Sequence, residues 1–154
     1  MGRFVNPDYN AFKTVLGANI YVDKTGIINY TNRVIETIDG YICNSRPRRF
    51  GKSMTADMLT AYYSKGCDSR EIFENLAIGE SGDFEEYLNK YDVLHLDIQW
   101  CMNVSGGAQS VLSYINENVI KELEHEYPDV PFESDSSIAN ALSLIHAHTG
   151  NRFV

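Results

Sequence analysis

Cys43-Asn44-Ser45-Arg46-Pro47-Arg48-Arg49-Phe50-Gly51-Lys52-Ser53 is the stretch on which the reading of this chain turns. Gly40-Tyr41-Ile42-Cys43 leads into it and reads as a short strand. Met54, Met58, Leu59 and Tyr62 follow at helical spacing, which predicts a helix from Lys52 to about Ser64. Strand, tight loop, Gly-Lys-Ser and helix is the order of a phosphate-binding loop. In that device backbone N–H groups and a helix N-terminus face the phosphates, a Lys reaches the β/γ-phosphates, and a Ser hydroxyl meets Mg²⁺. The pattern also asks for Gly five residues before Gly51, where this chain has Arg46. Gly there lets the backbone turn with a positive φ. Arg does so only at a cost, and Pro47 pushes Arg46 toward extended geometry. The loop is therefore expected to enter by another route, with guanidinium groups replacing some backbone contacts.

Composition narrows the partners. The chain has 154 residues, 44% hydrophobic and 22% charged, which suits one globular domain. A net charge of −8 opposes a broad nucleic-acid surface, because phosphate affinity needs clustered cations. The exception is local: Arg46, Arg48, Arg49 and Lys52 fall within seven residues, and only 13 Lys and Arg occur in the whole chain. A cationic spot on an acidic chain points to a compact anionic ligand. Cys43, Cys67 and Cys101 are too far apart for a zinc or disulfide framework and read as buried or incidental thiols. No apolar run approaches the roughly 20 residues of a membrane span, and the N-terminus lacks a signal-peptide core. A cytoplasmic protein with no membrane contact is the simplest expectation.

Outward from the loop, residues 1–19 read as a partly ordered lead-in. Asp23 or Thr25 is placed to cap a helix carrying Ile27, Ile28, Val34, Ile35 and Ile38, ended by Asp39-Gly40. Asp68 to Glu71 and Asp83 to Glu86 have capping-box spacing and should start two short helices. Residues 93–98, Val-Leu-His-Leu-Asp-Ile, form the clearest strand signal, apolar enough for a sheet covered on both faces. A long helix is expected from about Gly107 to Tyr127, with Glu117, Lys121, Glu122, Glu124 and Glu126 as its solvated face. Ser134 or Asp135 should cap a last helix through Ile145. Arg152-Phe153-Val154 reads as the opening of a further strand. Strands alternating with helices predict an α/β domain with a mostly parallel sheet between helical layers. The 45–53 loop would lie beyond the carboxyl ends of its strands.

Other candidates carry less. Asp97 closes an apolar strand as a metal-binding carboxylate would, or simply ends a strand facing the same pocket. His95 is expected to point to the opposite face, giving no catalytic pair. His146 and His148 are about 200° apart on a helix, so a surface pair is expected rather than a metal site. Trp100 and the ten tyrosines show no spacing that suggests a base-stacking platform.

Ser45-Arg46-Pro47-Arg48-Arg49-Phe50-Gly51-Lys52-Ser53 resembles the variant Walker A motif of the bacterial AAA-ATPase-like family. Tyr21-Val22-Asp23-Lys24-Thr25 upstream is similar to a second signature of that family, in the same order and spacing. The resemblance spans most of the chain and makes Arg46 a family trait. It implies a P-loop NTPase-like, three-layer α/β/α fold, an ATPase when full length, with ATP and Mg²⁺ as cofactors. Arg46, Pro47, Arg48, Arg49, Phe50, Gly51, Lys52, Ser53 and Met54 would bind nucleotide. Lys52 would act on the β/γ-phosphates and Ser53 would hold the metal, while Asp23 and Lys24 lie within reach of the nucleotide. It further implies that the Walker B acids belong to the strand opening at residues 152–154. The expectation is then an N-terminal part of a single domain that hydrolyses poorly by itself. Relatives commonly add a C-terminal nuclease domain, through which nucleic acid would be met; oligomerisation stays open. The competing reading is a non-catalytic phosphate or nucleic-acid binding module built on Arg46, Arg48, Arg49 and Lys52.

Overall fold

The computed structural model describes residues 2–133 and 136–154. Its helices are α1 (Asn10–Leu16), α2 (Ile28–Val34), α3 (Lys52–Tyr63), α4 (Arg70–Phe73), α5 (Phe84–Tyr87), α6 (Ile98–Ser105), α7 (Val111–Glu126) and α8 (Ile138–Thr149). Short 3₁₀ turns occupy Thr25–Ile27, Ile38–Gly40 and Ala77–Glu80. No helix among the described residues is long and apolar enough to cross a membrane.

The sheet expected from the sequence does not form, so the three-layer α/β/α reading is wrong for this chain. Among the described residues, strand pairing is limited to three isolated bridges: Val5 with Leu94 antiparallel, and Ser64 with Tyr91 and Asp92 with Phe153 parallel. They converge on residues 91–94. The His95 N–H donates to the Phe4 carbonyl at 2.9 Å, and the Leu94 N–H donates to the Val154 carbonyl at 2.9 Å. The expected opening strand at 152–154 is thus an extended segment lying parallel to 92–94. The approach to the loop is not a strand either, with Tyr41 95% and Ile42 43% exposed. Apolar runs of this length do not distinguish a strand from a buried extended segment. Here a carboxylate also stops the run: Asp97 accepts the Trp100 N–H at 2.9 Å and starts α6, a helix the sequence reading missed.

Two apolar clusters hold the elements together. One joins Phe4 and Val5 to α6, α7 and α8 around Cys101, Val119 and Leu123. The other joins α1 to α5 around Phe12, Ile28, Tyr62 and Phe73. α1 packs on α3, and Phe12 stacks on Phe73 with ring centroids 5.2 Å apart. The lead-in is therefore part of the core, since Phe4, Val5 and Phe12 are all buried. Cys43 is exposed, Cys67 half-buried and Cys101 buried.

One carboxylate expected on the solvated face of α7 anchors this N-terminal segment instead. Glu122 accepts the N–H groups of Arg3, Phe4 and Val5 at 2.9, 2.8 and 2.8 Å. Glu126 likewise accepts from Asn6 at 3.2 Å, while Glu117 and Lys121 lie on the exposed face as expected and pair there at 2.6 Å. Glu122→Ala orphans three backbone donors, two of them on buried residues, and is expected to cost about 2 kcal/mol. A urea midpoint unchanged from the parent would refute this anchoring role. α8 is capped by Ser137, which accepts the Asn140 N–H at 3.2 Å. The expected caps Ser134 and Asp135 lie outside the described residues. His146 and His148 are both exposed, and His146 Nδ1 lies 3.0 Å from the Asn151 carbonyl.

Candidate functional site

The loop solves the Arg46 problem by turning later. Its positive φ values fall at Arg49 (67°) and Gly51 (79°), not at position 46. Gly51 is the N-cap of α3 and needs no compensation there, whereas left-handed geometry at Arg49 costs about 1–2 kcal/mol. The Phe50 N–H closes the turn on the Pro47 carbonyl at 3.4 Å. Gly51 then gives its carbonyl to the Thr55 N–H at 2.9 Å and the Thr55 hydroxyl at 3.0 Å. No side chain caps α3. Its first-turn N–H groups, from Lys52 to Met54, therefore face outward at the positive end of a 12-residue helix.

Lys52 folds back over this turn. Its Nζ donates to the carbonyls of Arg46 at 2.6 Å and Pro47 at 3.2 Å, holding the loop closed while staying exposed. A cavity of about 710 Å³ opens in front of it, lined by Arg48, Arg49, Gly51, Lys52, Ser53 and Met54 together with Gln99. The predicted loop residues are thus brought together at one mouth, apart from Arg46 and Pro47, which act through their carbonyls, and Phe50, which lines the next cavity. Gln99 was not foreseen. Its position follows from α6, and only the capping pattern at Asp97 signalled that helix.

The 21–25 segment is split between anchoring and reach. Asp23 accepts the Thr25 N–H at 2.8 Å, the Thr25 hydroxyl at 2.7 Å and the Ala77 N–H at 2.7 Å. The Thr25 hydroxyl accepts the Ile78 N–H at 3.2 Å. Asp23 therefore fastens the segment to the 77–80 turn and does not face the loop. Lys24 does: its Nζ lies 4.0 Å from where a Cβ on Gly51 would stand. Partial burial pushes the Asp23 carboxyl up, but the donors from Ala77 and Thr25 outweigh it and hold the group below its usual range. A depressed carboxyl contributes stability above its unfolded pKa and loses it as pH falls through the folded value. Its contribution is thus complete at neutral pH and fades below pH about 4. Asp23→Ala should lower the urea midpoint at pH 7, by about 1 kcal/mol in stability, and narrow the gap to the parent under acid. An equal gap at both pH values would contradict it.

Asp97 and His95 lie elsewhere. Both line a separate cavity of about 440 Å³ that also includes Asp57, Thr60, Arg3 and Trp100. The expectation that His95 faces away from Asp97 fails, because residues two apart in an extended chain share a face. His95 Nδ1 lies 3.2 Å from the Thr60 hydroxyl. Burial pushes the Asp57 carboxyl up; nearby His95 opposes this and Asp97 adds to it. Asp97 is spent as the cap of α6 and does not line the loop cavity.

A family model described as a predicted AAA-ATPase matches residues 9–154. The chain belongs to the AAA-ATPase-like family. No curated protein and no solved structure matches it. Membership points to a nucleotide-binding, ATPase-like role, and the donor set of the AAA-ATPase-like loop suits that ligand. Lysine, two arginines and free helix N–H groups line the loop cavity, with no carboxylate among the described residues there. Such a set of donors favours an anionic ligand. Mg²⁺ takes few protein ligands and is shared with phosphates and water. The exposed Ser53 hydroxyl fits that demand.

Proposed function

We propose that this chain binds Mg-ATP on the 46–54 loop and forms the phosphate-binding part of an ATPase. The observation that carries the reading is the uncapped first turn of α3, opening into the same cavity as Lys52, Arg48, Arg49 and Ser53. The N–H groups of residues 52–54 and the Lys52 ammonium hold the β/γ-phosphates. Arg48 and Arg49 neutralise the outer oxygens, Ser53 offers its hydroxyl to the metal, and Lys24 adds a cation from the side of Gly51. When bound, Mg²⁺ offsets phosphate charge. Because no carboxylate among the described residues lines the cavity, these residues bind and orient but activate no water, and turnover by this chain alone is expected to be slow.

The competing reading, a nucleic-acid grip by the same cations, is separated by competition. ATP displacing a labelled nucleotide only when Mg²⁺ is present supports the proposal. Displacement by single-stranded DNA with a steep salt slope, and none by ATP, overturns it.

A further inference from the structure

The cavity of about 440 Å³ that holds His95 and Asp97 is built by three elements: α3, residues 95–100 and the N-terminal segment. It shares no lining residue with the loop cavity, so its ligand is independent of any nucleotide at the loop. We propose that it binds a small zwitterion of the α-amino acid class, with the ammonium between Asp57 and Asp97 and the carboxylate on the Arg3 guanidinium.

The carrying observation is that opposite charges line one cavity without meeting. Arg3 faces it together with Asp8, Asp57 and Asp97. Yet the ion pairs among the described residues are Lys65 with Asp92, Arg70 with Glu85 and Lys121 with Glu117, none of them here. Asp57 is half-buried on α3 and has no hydrogen-bond partner among the described residues. A carboxylate withdrawn from water is costly unless something positive meets it. Burial pushes the Asp57 carboxyl up and the neighbouring Asp97 adds to this, against the opposing pull of His95. An ammonium lying between the two carboxylates relieves both effects. Asp97 can take part because capping α6 uses only its Oδ1, which leaves the second oxygen for a ligand.

The cationic wall is held in advance. Glu122 fixes the Arg3 N–H at 2.9 Å, and the guanidinium carbon lies 3.9 Å from the centroid of the Trp100 ring. Trp100 is itself packed against Phe4 and Tyr114, with ring centroids 6.3 and 6.2 Å away. A stacked guanidinium keeps its in-plane N–H groups for a carboxylate, which it grips with two parallel bonds. Trp100, Phe4 and Pro7 supply an apolar wall for the ligand's side chain. Three carboxylates against one guanidinium tolerate a basic side chain there and disfavour an acidic one.

Trp100 is the only tryptophan in the chain, so its fluorescence reports on this cavity directly. The whole chain is titrated with L-leucine, L-lysine, L-glutamate and two leucine analogues that each lack one charge, isoamylamine and isocaproate. Calorimetry gives the affinities. Leucine and lysine should bind, with glutamate and both analogues about tenfold weaker than leucine. Asp57→Asn and Arg3→Gln, close in shape to the parent side chains, should each lose about tenfold for leucine while thermal stability hardly changes. No response to leucine or lysine at millimolar concentration overturns the proposal. So does an analogue, or glutamate, that binds as tightly as leucine, or a leucine affinity unchanged in both variants. The analogue comparison uses the parent chain alone and stands whether or not a variant folds.

Discussion

Lys52→Ala is expected to weaken Mg-ATP binding about a hundredfold, the effect of losing a charge-assisted contact to the phosphates. Two roles end together. The proposed contact of the ammonium with the phosphates is removed, and the loop loses the clasp that Lys52 makes on the carbonyls of Arg46 and Pro47. Because Lys52 is exposed and its two hydrogen bonds are exposed ones within the loop, thermal stability should hardly change. That separates a lost ligand contact from a lost fold. Lys52→Arg keeps the charge but presents a planar fork where the loop carbonyls accept a point donor. It should fall between the two. Calorimetry decides: affinity retained in Lys52→Ala would sink the assignment of this loop.

Asp92→Ala should produce the largest loss of stability, about 3 kcal/mol, in the range for breaking a buried ion pair. Asp92 is 4% exposed. Its Oδ1 takes Lys65 Nζ at 2.6 Å, Asn6 Nδ2 at 3.0 Å and the Tyr127 hydroxyl. Its backbone carbonyl accepts the Val154 N–H at 2.8 Å. One residue thus ties the N-terminal segment, the end of α3, the end of α7 and the 152–154 segment together. Removing the carboxylate takes the shared acceptor from three donors: Asn6 keeps Glu126 and Lys65 keeps the Tyr127 hydroxyl, while the buried Tyr127 hydroxyl loses the acceptor it donates to. Lys65 is partly exposed and recovers some hydration, which keeps the cost at the low end. Asp92→Asn retains an acceptor of the same shape and should cost about half as much. Urea unfolding of both variants measures this, and an Asp92→Asn midpoint equal to the parent's would show that charge contributes nothing at this junction.

Local signals carried the site further than the fold. The helix after Gly51 was legible because Met54, Met58, Leu59 and Tyr62 lie on one face, and its start at Lys52 agrees with the structure. Asp23 was read as a helix cap, whereas the structure puts Lys24 at that position and has Asp23 binding the Thr25 N–H two residues on. The Asp23 bond to Ala77, 54 residues away, was not legible. Tyr21, Phe12 and Phe50 meet around one cavity although no regular spacing relates them. Glu122 reads as one charge among many on α7, because backbone N–H groups leave no mark in a sequence.

What this sequence determined alone was chemistry confined to a few consecutive residues. That covers the cationic loop, the Gly that starts α3, the helix behind it, and the family, which the match over residues 9–154 supports. Only the tertiary structure decided whether apolar runs pair. Residues 93–98 carry a strand's composition, yet strand pairing needs a neighbour at the right register. Residues 41–43 do not provide one, so 91–94 make three single bridges. Backbone partners are distant in sequence and indifferent to side-chain type, which is why pattern alone predicted a sheet that did not form.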